Sequence, residues 1–469
     1  MSSQPPLGFH SLKEEISREL PVEGTVPDWL SGSLVRNGPG AFDLGDATVD
    51  HWFDGLAMLH RFTFDDGVTY RNRFLRTDAY ETAREGEFDG GFATGETTLR
   101  ERIRSFVLDD PYDNANVIAE RVGDRYLALT ETPRWVEFDP ATLETRGHVQ
   151  YDGPEPAGRL ACAHMNRDPS TGEMVNFETA FGRTSEYHVY AMSSPEERDH
   201  VGSVAVDEPS YMHSFALTPN YVVLTEFPFV VDPLAFLRPG KQGPFVDNFE
   251  WKPERGTRFL VLDRETGDLV AQPRTDPFFG FHHANAYEDG DAIVVDLETV
   301  PDVASIEGLY LDELRAGNLG VFAGRLERFR VHLDGSSAGI DRRMLYEGGT
   351  ALPTVSPARW CREHRYVYAQ GTDQPVTEWP QSVLKIDTES GTVQSFSDSG
   401  HHFSEPVFVP RPDGAAEDDG VVLTVALDTD AERSRLVVLD GESLAELAQA
   451  TVPHPIPFDF HGRFFPELT

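Results

Sequence analysis

The chain has 469 residues, 39% of them hydrophobic and 11% aromatic, which is enough apolar material for a large core and excludes a disordered protein. Its 79 acidic residues outnumber 40 basic ones, and the resulting formal charge of −39 makes nucleic acid and anionic membrane poor partners. Lysine occurs only at Lys13, Lys241, Lys252 and Lys385. The acid is spread along the whole chain, which fits a halophilic, archaeal-type protein in a salt-rich cytoplasm, where a Debye length of about 3 Å in molar salt screens self-repulsion.

From the start of the chain, MSSQPPLGFH lacks the basic and apolar regions of a signal peptide, and no window approaches a membrane span, so a cytoplasmic protein is expected. Helical pattern is confined to Leu12–Leu20 and Val303–Ala316; the second follows a strand and is expected to cap one end of the fold. Short apolar runs bounded by turn residues fill the rest: RYLALTE, EMVNFETAF, YVVLTEFPFVV, RFLVLD, DAIVVDLETV, SVLKID, GVVLTVALD and RLVVLD. These predict strands. Cys162 and Cys361 have no CxxC spacing and are expected to be buried packing residues in a reduced compartment.

A second pattern recurs: an apolar residue and Asp close one strand, Ser or Thr follows, and a new strand leaves. It reads FDPATLET from Phe138, LDRETGDLV from Leu262, IDTESGTV from Ile386 and LDGESLAEL from Leu439, with a relative at RDPSTGEM from Arg167. The Asp carboxylate can accept N–H groups just ahead of it, the usual chemistry of a tight hairpin turn. The even spacing of Asp139, Asp263 and Asp387 suits units of roughly 60 residues around an axis, seven of which would use nearly the whole chain. A large β-sandwich or a pair of β domains is the competing reading.

The sixteen histidines include no HExxH motif, so any metal site must be assembled from distant segments. Four segments place histidine in apolar or aromatic sequence at a strand edge: ACAHMN (His164), SYMHSFALT (His213), FGFHHANAYE (His282 and His283) and FDFHGRFF (His461). Each alone suits a buried core residue. On separate blades, all four could converge on one axis.

With GSLVRNGPG at Gly32–Gly40, HWFDGLAMLHRF at His51–Phe62, SEPVFVPRPDGAAEDDGVVLTV at Ser404–Val425 and the terminal FHG, these segments make the chain resemble the carotenoid cleavage dioxygenase family along nearly its full length. The resemblance implies an all-β fold: a single seven-bladed β-propeller over 1–469, with an N-terminal segment at 1–25. A helical and loop cap is implied over the iron face, with 226–250 and 301–318 as candidate elements. It implies one Fe(II) per chain, held by His164, His213, His282 and His461. The family pattern of Phe, ligand, two residues and Asn selects His282 and leaves His283 a neighbour. Four neutral imidazoles would leave an iron octahedron two positions open.

The family supports its ligands with three glutamates. Two match Glu131 in LTETP and Glu405 in SEP, but the third position reads Ala351-Leu352-Pro353, which puts the support of His282 in question; a water, or Glu347 reaching back, could substitute. The implied activity is O2-dependent cleavage of a carotenoid or apocarotenoid double bond into two carbonyl products. A non-cleaving isomerase or carotenoid-binding propeller is the alternative. A stilbenoid-cleaving relative would carry Lys where Thr130 stands. The partners implied are a lipophilic polyene, O2 and transient peripheral contact with a membrane. Phe227, Phe229, Leu234 and Phe236 in Glu226–Gly240 are the candidates for membrane contact and substrate access.

Overall fold

The computed structural model describes residues 6–45, 47–86, 91–94, 112–151, 158–237, 244–319, 323–333 and 339–469. Every apolar run named above forms a strand; YVVLTEFPFVV splits at Pro228 into Tyr221–Glu226 and Phe229–Val231. The described pairings are antiparallel and mostly follow a meander, in which neighbours in sequence are neighbours in the sheet; the chain ends are the main departure, since they pair with distant strands.

Among the described residues the strands group into seven blades. The second runs from Ile118–Val122 to Thr145–His148, the third from Leu160–Ala161 to Asp199–Val206, and the fourth from Ala216–Leu217 to Leu269–Ala271. The fifth and sixth share one seven-stranded sheet. Its long strand Ile340–Thr354 pairs with Gly324–His332 through residues 340–350 and with Tyr366–Thr372 through residues 349–354. The seventh centres on Gly420–Asp428 and Arg433–Asp440. The first combines Gly32–Ala41, Leu56–Phe64 and Val68–Phe74 with the C-terminal strand His461–Phe465.

What closes these blades into a ring is the alternation of side chains along each strand, since successive residues point to opposite faces. Leu34 packs with Leu423 of the seventh blade, whereas Val35 packs with Ala119 of the second. Val222 and Leu224 join the third blade; Val223 between them joins the fifth. Clusters of this kind lie between blades two and three, five and six, and six and seven as well, so each blade is covered on both faces. A strand buried on both sides is mostly apolar on both faces, which is why the sequence shows near-continuous runs rather than alternation. The chain ends also help to close the ring: Ser17–Glu19 pairs with Val68–Phe74 of the first blade, and Val22–Gly24 with Glu446–Thr451 of the seventh.

The repeated Asp turns join the two outer strands of a blade. Asp139, Asp263 and Asp387 each accept the backbone N–H groups two and three residues on, and each carbonyl accepts the N–H four residues on. That fourth residue has left-handed backbone, supplied by Gly267 and Gly391 in two copies and by buried Leu143 in the other.

The helix expected over Leu12–Leu20 does not form. The segment runs along the edge of the first blade, where Asn72 accepts from Ile16 N–H and donates to the Glu14 carbonyl, and Ser17–Glu19 joins the sheet. Satisfying an otherwise open sheet edge outweighs a weak helical pattern. Val303–Ala316 is helical in two short pieces, Ala304–Glu307 and Leu311–Ala316, inserted between the second and third strands of the fifth blade. The 226–250 segment forms a ribbon of Phe229–Val231 with Phe249–Trp251, inserted at the equivalent place in the fourth.

Candidate metal centre

The four histidines come from the inner ends of four blades. His164 lies between Leu160–Ala161 and Asn166–Arg167, His213 precedes Ala216–Leu217, His282 precedes His283–Asp289, and His461 begins the C-terminal strand. Each offers one ring nitrogen, and these atoms all lie within 4.8 Å of one another. His164 Nε2 and His213 Nε2 are 3.0 Å apart, and His282 Nε2 is buried with no hydrogen-bond partner. A buried, unpartnered ring nitrogen aimed at three others is the arrangement that a divalent cation with a preference for imidazole satisfies. Burial, and then the neighbouring imidazoles, hold His164 and His282 well below the ordinary histidine range; burial also lowers His461, against the pull of Glu405. These three rings are therefore neutral, the form in which imidazole binds metal.

Three of the rings are fixed from behind. His213 Nδ1–H donates to Glu131 Oε1 at 2.5 Å, and His461 Nδ1–H to Glu405 Oε1 at 2.9 Å. Glu405 Oε2 accepts Gly462 N–H at 2.7 Å. Burial alone would push Glu405 up, but His461, Arg36 and Arg463 together hold it below the usual carboxylate range.

The third support corrects the sequence reading. Neither position 351 nor Glu347 supplies it: His282 Nδ1–H donates to Glu298 Oε2 at 3.1 Å. Glu298 lies in the wholly buried strand Ala292–Thr299 of the same blade. Burial pushes its carboxyl up to about 8, opposed by the Leu352 backbone N–H; a cation on the far side of the His282 ring would favour the carboxylate. The signal available in the sequence was acid within the apolar run DAIVVDLETV, where Asp296 and Glu298 both fall inside the strand. Among the described residues, His164 is the one ring of the four with no carboxylate against it.

His283 is turned away. Its Nδ1 meets Ser214 Oγ at 2.7 Å and its Nε2 meets Thr225 Oγ1 at 2.8 Å, so both nitrogens are engaged by hydroxyls. Asn285, two residues on, donates to the carbonyls of Arg359 and Arg362 and accepts Cys361 N–H, tying this blade to the turn beneath it. Cys162 and Cys361 are free and buried in one apolar cluster.

Two surroundings meet at the histidines. A cavity of about 90 Å³ is lined by His164, His282 and His461 together with Glu120, Asn285, Trp360 and Arg463. A wall of aromatic rings comes from other residues: Phe281 lies 5.6 Å from His213, and Phe53 lies 5.4–5.9 Å from Phe92, Phe281 and Phe460. The expected access patch is mostly interior. Phe227 and Phe229 are 1% and 5% exposed and pack against Phe278 and Phe279, because the ribbon folds them onto the core between the fourth and fifth blades. Leu234 is 62% exposed, and the side chain of Phe236 lies outside the described residues. Among the described residues no helix is long and apolar enough to cross a membrane.

A seven-bladed propeller with four histidines gathered at its axis, three of them backed by carboxylates, defines the class of protein. The chain belongs to the family described as retinal pigment epithelial membrane protein (RPE65), whose model matches residues 9–466. It is similar to a carotenoid isomerooxygenase of Galleria mellonella, at 31% identity over 98% of this chain and 96% of that one. It is also similar to the β,β-carotene 15,15'-dioxygenase of Gallus gallus, at 31% identity over 98% of each. Among solved structures, a variant of Synechocystis apocarotenoid oxygenase superposes with a TM-score of 0.86 at 28% identity, covering 98% of both chains.

Proposed function

We propose that the protein is a non-haem Fe(II) dioxygenase that cleaves a carbon–carbon double bond of a carotenoid or apocarotenoid into two carbonyl products. The observation that carries this reading is the set of four imidazole nitrogens within 4.8 Å, with no carboxylate among the converging atoms. His164, His213, His282 and His461 would hold the iron. When bound, ferrous iron supplies the redox chemistry by which ground-state O2 reacts with a closed-shell alkene. The double bond breaks, each carbon takes one oxygen atom, and the alkene electrons reduce O2, so the balance needs no other reductant.

The residues of the chain do the positioning. Glu131, Glu298 and Glu405 fix three of the rings, so the donor set is organised before metal binds. The rings of Phe53, Phe92 and Phe281 offer an apolar, water-excluding surface against which a conjugated chain can lie. Among the described side chains of the expected patch, exposed Leu234 is available for contact with a lipid surface, and the dispersed acid suits a salt-rich cytoplasm.

The test is to incubate iron-loaded protein with β-carotene and a series of apocarotenals in high salt under isotopically labelled O2, and to identify products by mass. Two aldehydes or ketones that each carry one labelled oxygen are expected. Geometric isomers without label would replace this reading with isomerisation, and unchanged substrates across the series would overturn it.

A further inference from the structure

We propose that Glu298, with the space made for it by Gly324, is the residue that orients His282 for metal, a role position 351 cannot fill. The inference rests on the metal-binding reading above and adds the residue that makes one of the four ligands competent. His282 is the ring whose outward nitrogen, Nε2, is buried and unpartnered, so its orientation depends on what holds Nδ1. That holder is Glu298 Oε2 at 3.1 Å. The two residues are also joined through the backbone, since Glu298 N–H donates to the His282 carbonyl at 2.9 Å. This places the carboxylate at a fixed height against the ring.

The surroundings are shaped around this side chain. A Cβ on Gly324, on the adjoining strand, would stand 2.2 Å from Glu298 Cγ and 2.5 Å from Oε1, so glycine is what leaves the carboxylate its room. On the other side, the pairing of Ile340–Thr354 with Tyr366–Thr372 shifts between Ala351 and Thr354, and Leu352 takes left-handed backbone there. Its N–H then acts on the Glu298 carboxylate. The methyl of Ala351 offers no acceptor. A glutamate on this buried strand has no apolar value, and its ring contact, its glycine and its backbone donor all serve the geometry of His282.

The experiment is anaerobic titration of metal-free protein with Co(II), reading both affinity and the ligand-field absorption band. It compares wild type with Glu298→Ala, Glu298→Leu, Glu298→Gln, Gly324→Ala and Ala351→Glu. Glu298→Ala should weaken Co(II) binding about 10–100-fold and shift the band, because the freed ring rotates. Glu298→Leu, similar in volume and without a buried charge, keeps the test decisive if the alanine variant fails to fold. Glu298→Gln should recover most of the affinity, since its Oε1 still accepts from Nδ1–H. Gly324→Ala should weaken binding with the carboxylate still present. Ala351→Glu should bring no gain, as His282 already has its acceptor. Wild-type affinity and an unshifted band in Glu298→Leu would overturn the inference while leaving the metal site standing. A wild-type chain that takes up no Co(II) would overturn both.

Discussion

Glu131 holds His213 through a 2.5 Å hydrogen bond to Nδ1. Tyr211, two residues before that histidine, donates its hydroxyl to both Glu131 oxygens at 2.9 Å. The ring therefore has a support that is itself supported. Glu131→Ala is expected to cost about 10–100-fold in metal affinity, and Tyr211→Phe a smaller factor, because the carboxylate remains in place. Titrating both variants with Fe(II) under anaerobic conditions measures the order, and a larger loss in Tyr211→Phe would reverse the hierarchy drawn here.

The adjacent pair His282 and His283 should separate cleanly. His282→Ala is expected to remove most bound iron. His283→Ala should keep one iron per chain and lose about 1–3 kcal/mol of stability, as the buried Thr225 hydroxyl loses its ring partner and Ser214 Oγ loses one of its three contacts. Metal analysis and thermal unfolding of the two purified variants check this, and iron loss in His283→Ala alone would assign the ligand to the wrong ring.

His51 gives a pH dependence outside the metal centre. Burial lowers its pKa to about 4, against the pull of a hydrogen bond to the Ile306 carbonyl. The folded state therefore binds this proton less readily than the unfolded chain, whose histidine has the ordinary value near 6.5. Stability from this group is complete above about pH 6.5 and falls by roughly 3 kcal/mol as pH drops to about 4, remaining lost below that. His51→Asn keeps an acceptor for Phe53 N–H, so it should flatten the fall of melting temperature between these pH values. An unchanged slope at constant high salt would refute the assignment.

Salt should stabilise the protein strongly. A formal charge of −39 repels itself across the surface, and raising KCl from about 0.1 M to 1 M shortens the Debye length from about 10 Å to about 3 Å. Melting temperature should rise throughout that range in calorimetry, and a flat profile would remove the physical basis for reading the composition as an adaptation to salt.

Much of the site was legible because its chemistry sits in distinctive local sequence. His164, His213, His282 and His461 each lie in an apolar context at the end of an inner strand, and Glu131 and Glu405 lie in short turn motifs. Glu298 was hidden for the opposite reason. In the sequence it is one of two acids in a strand of mostly β-branched and apolar residues, and its role exists only because the fifth blade sets it beside a ring sixteen residues earlier. Phe227 and Phe229 misled in the same way: an apolar run looks alike whether it faces lipid or core, and the ribbon fold decided for the core.

The sequence by itself determined the strands, the Asp hairpin turns and the histidines able to meet, because strand burial, turn hydrogen bonding and residue chemistry act over a few neighbouring positions. Only the tertiary structure decided that the N-terminal segment would edge two blades instead of coiling, that His283 would face Ser214 and Thr225, and that Glu298 would stand where position 351 has only a methyl. Those outcomes depend on which strand edge is open and which buried polar atom lacks a partner. Such needs arise between segments far apart in the chain, and they are met only when the ring of blades is closed.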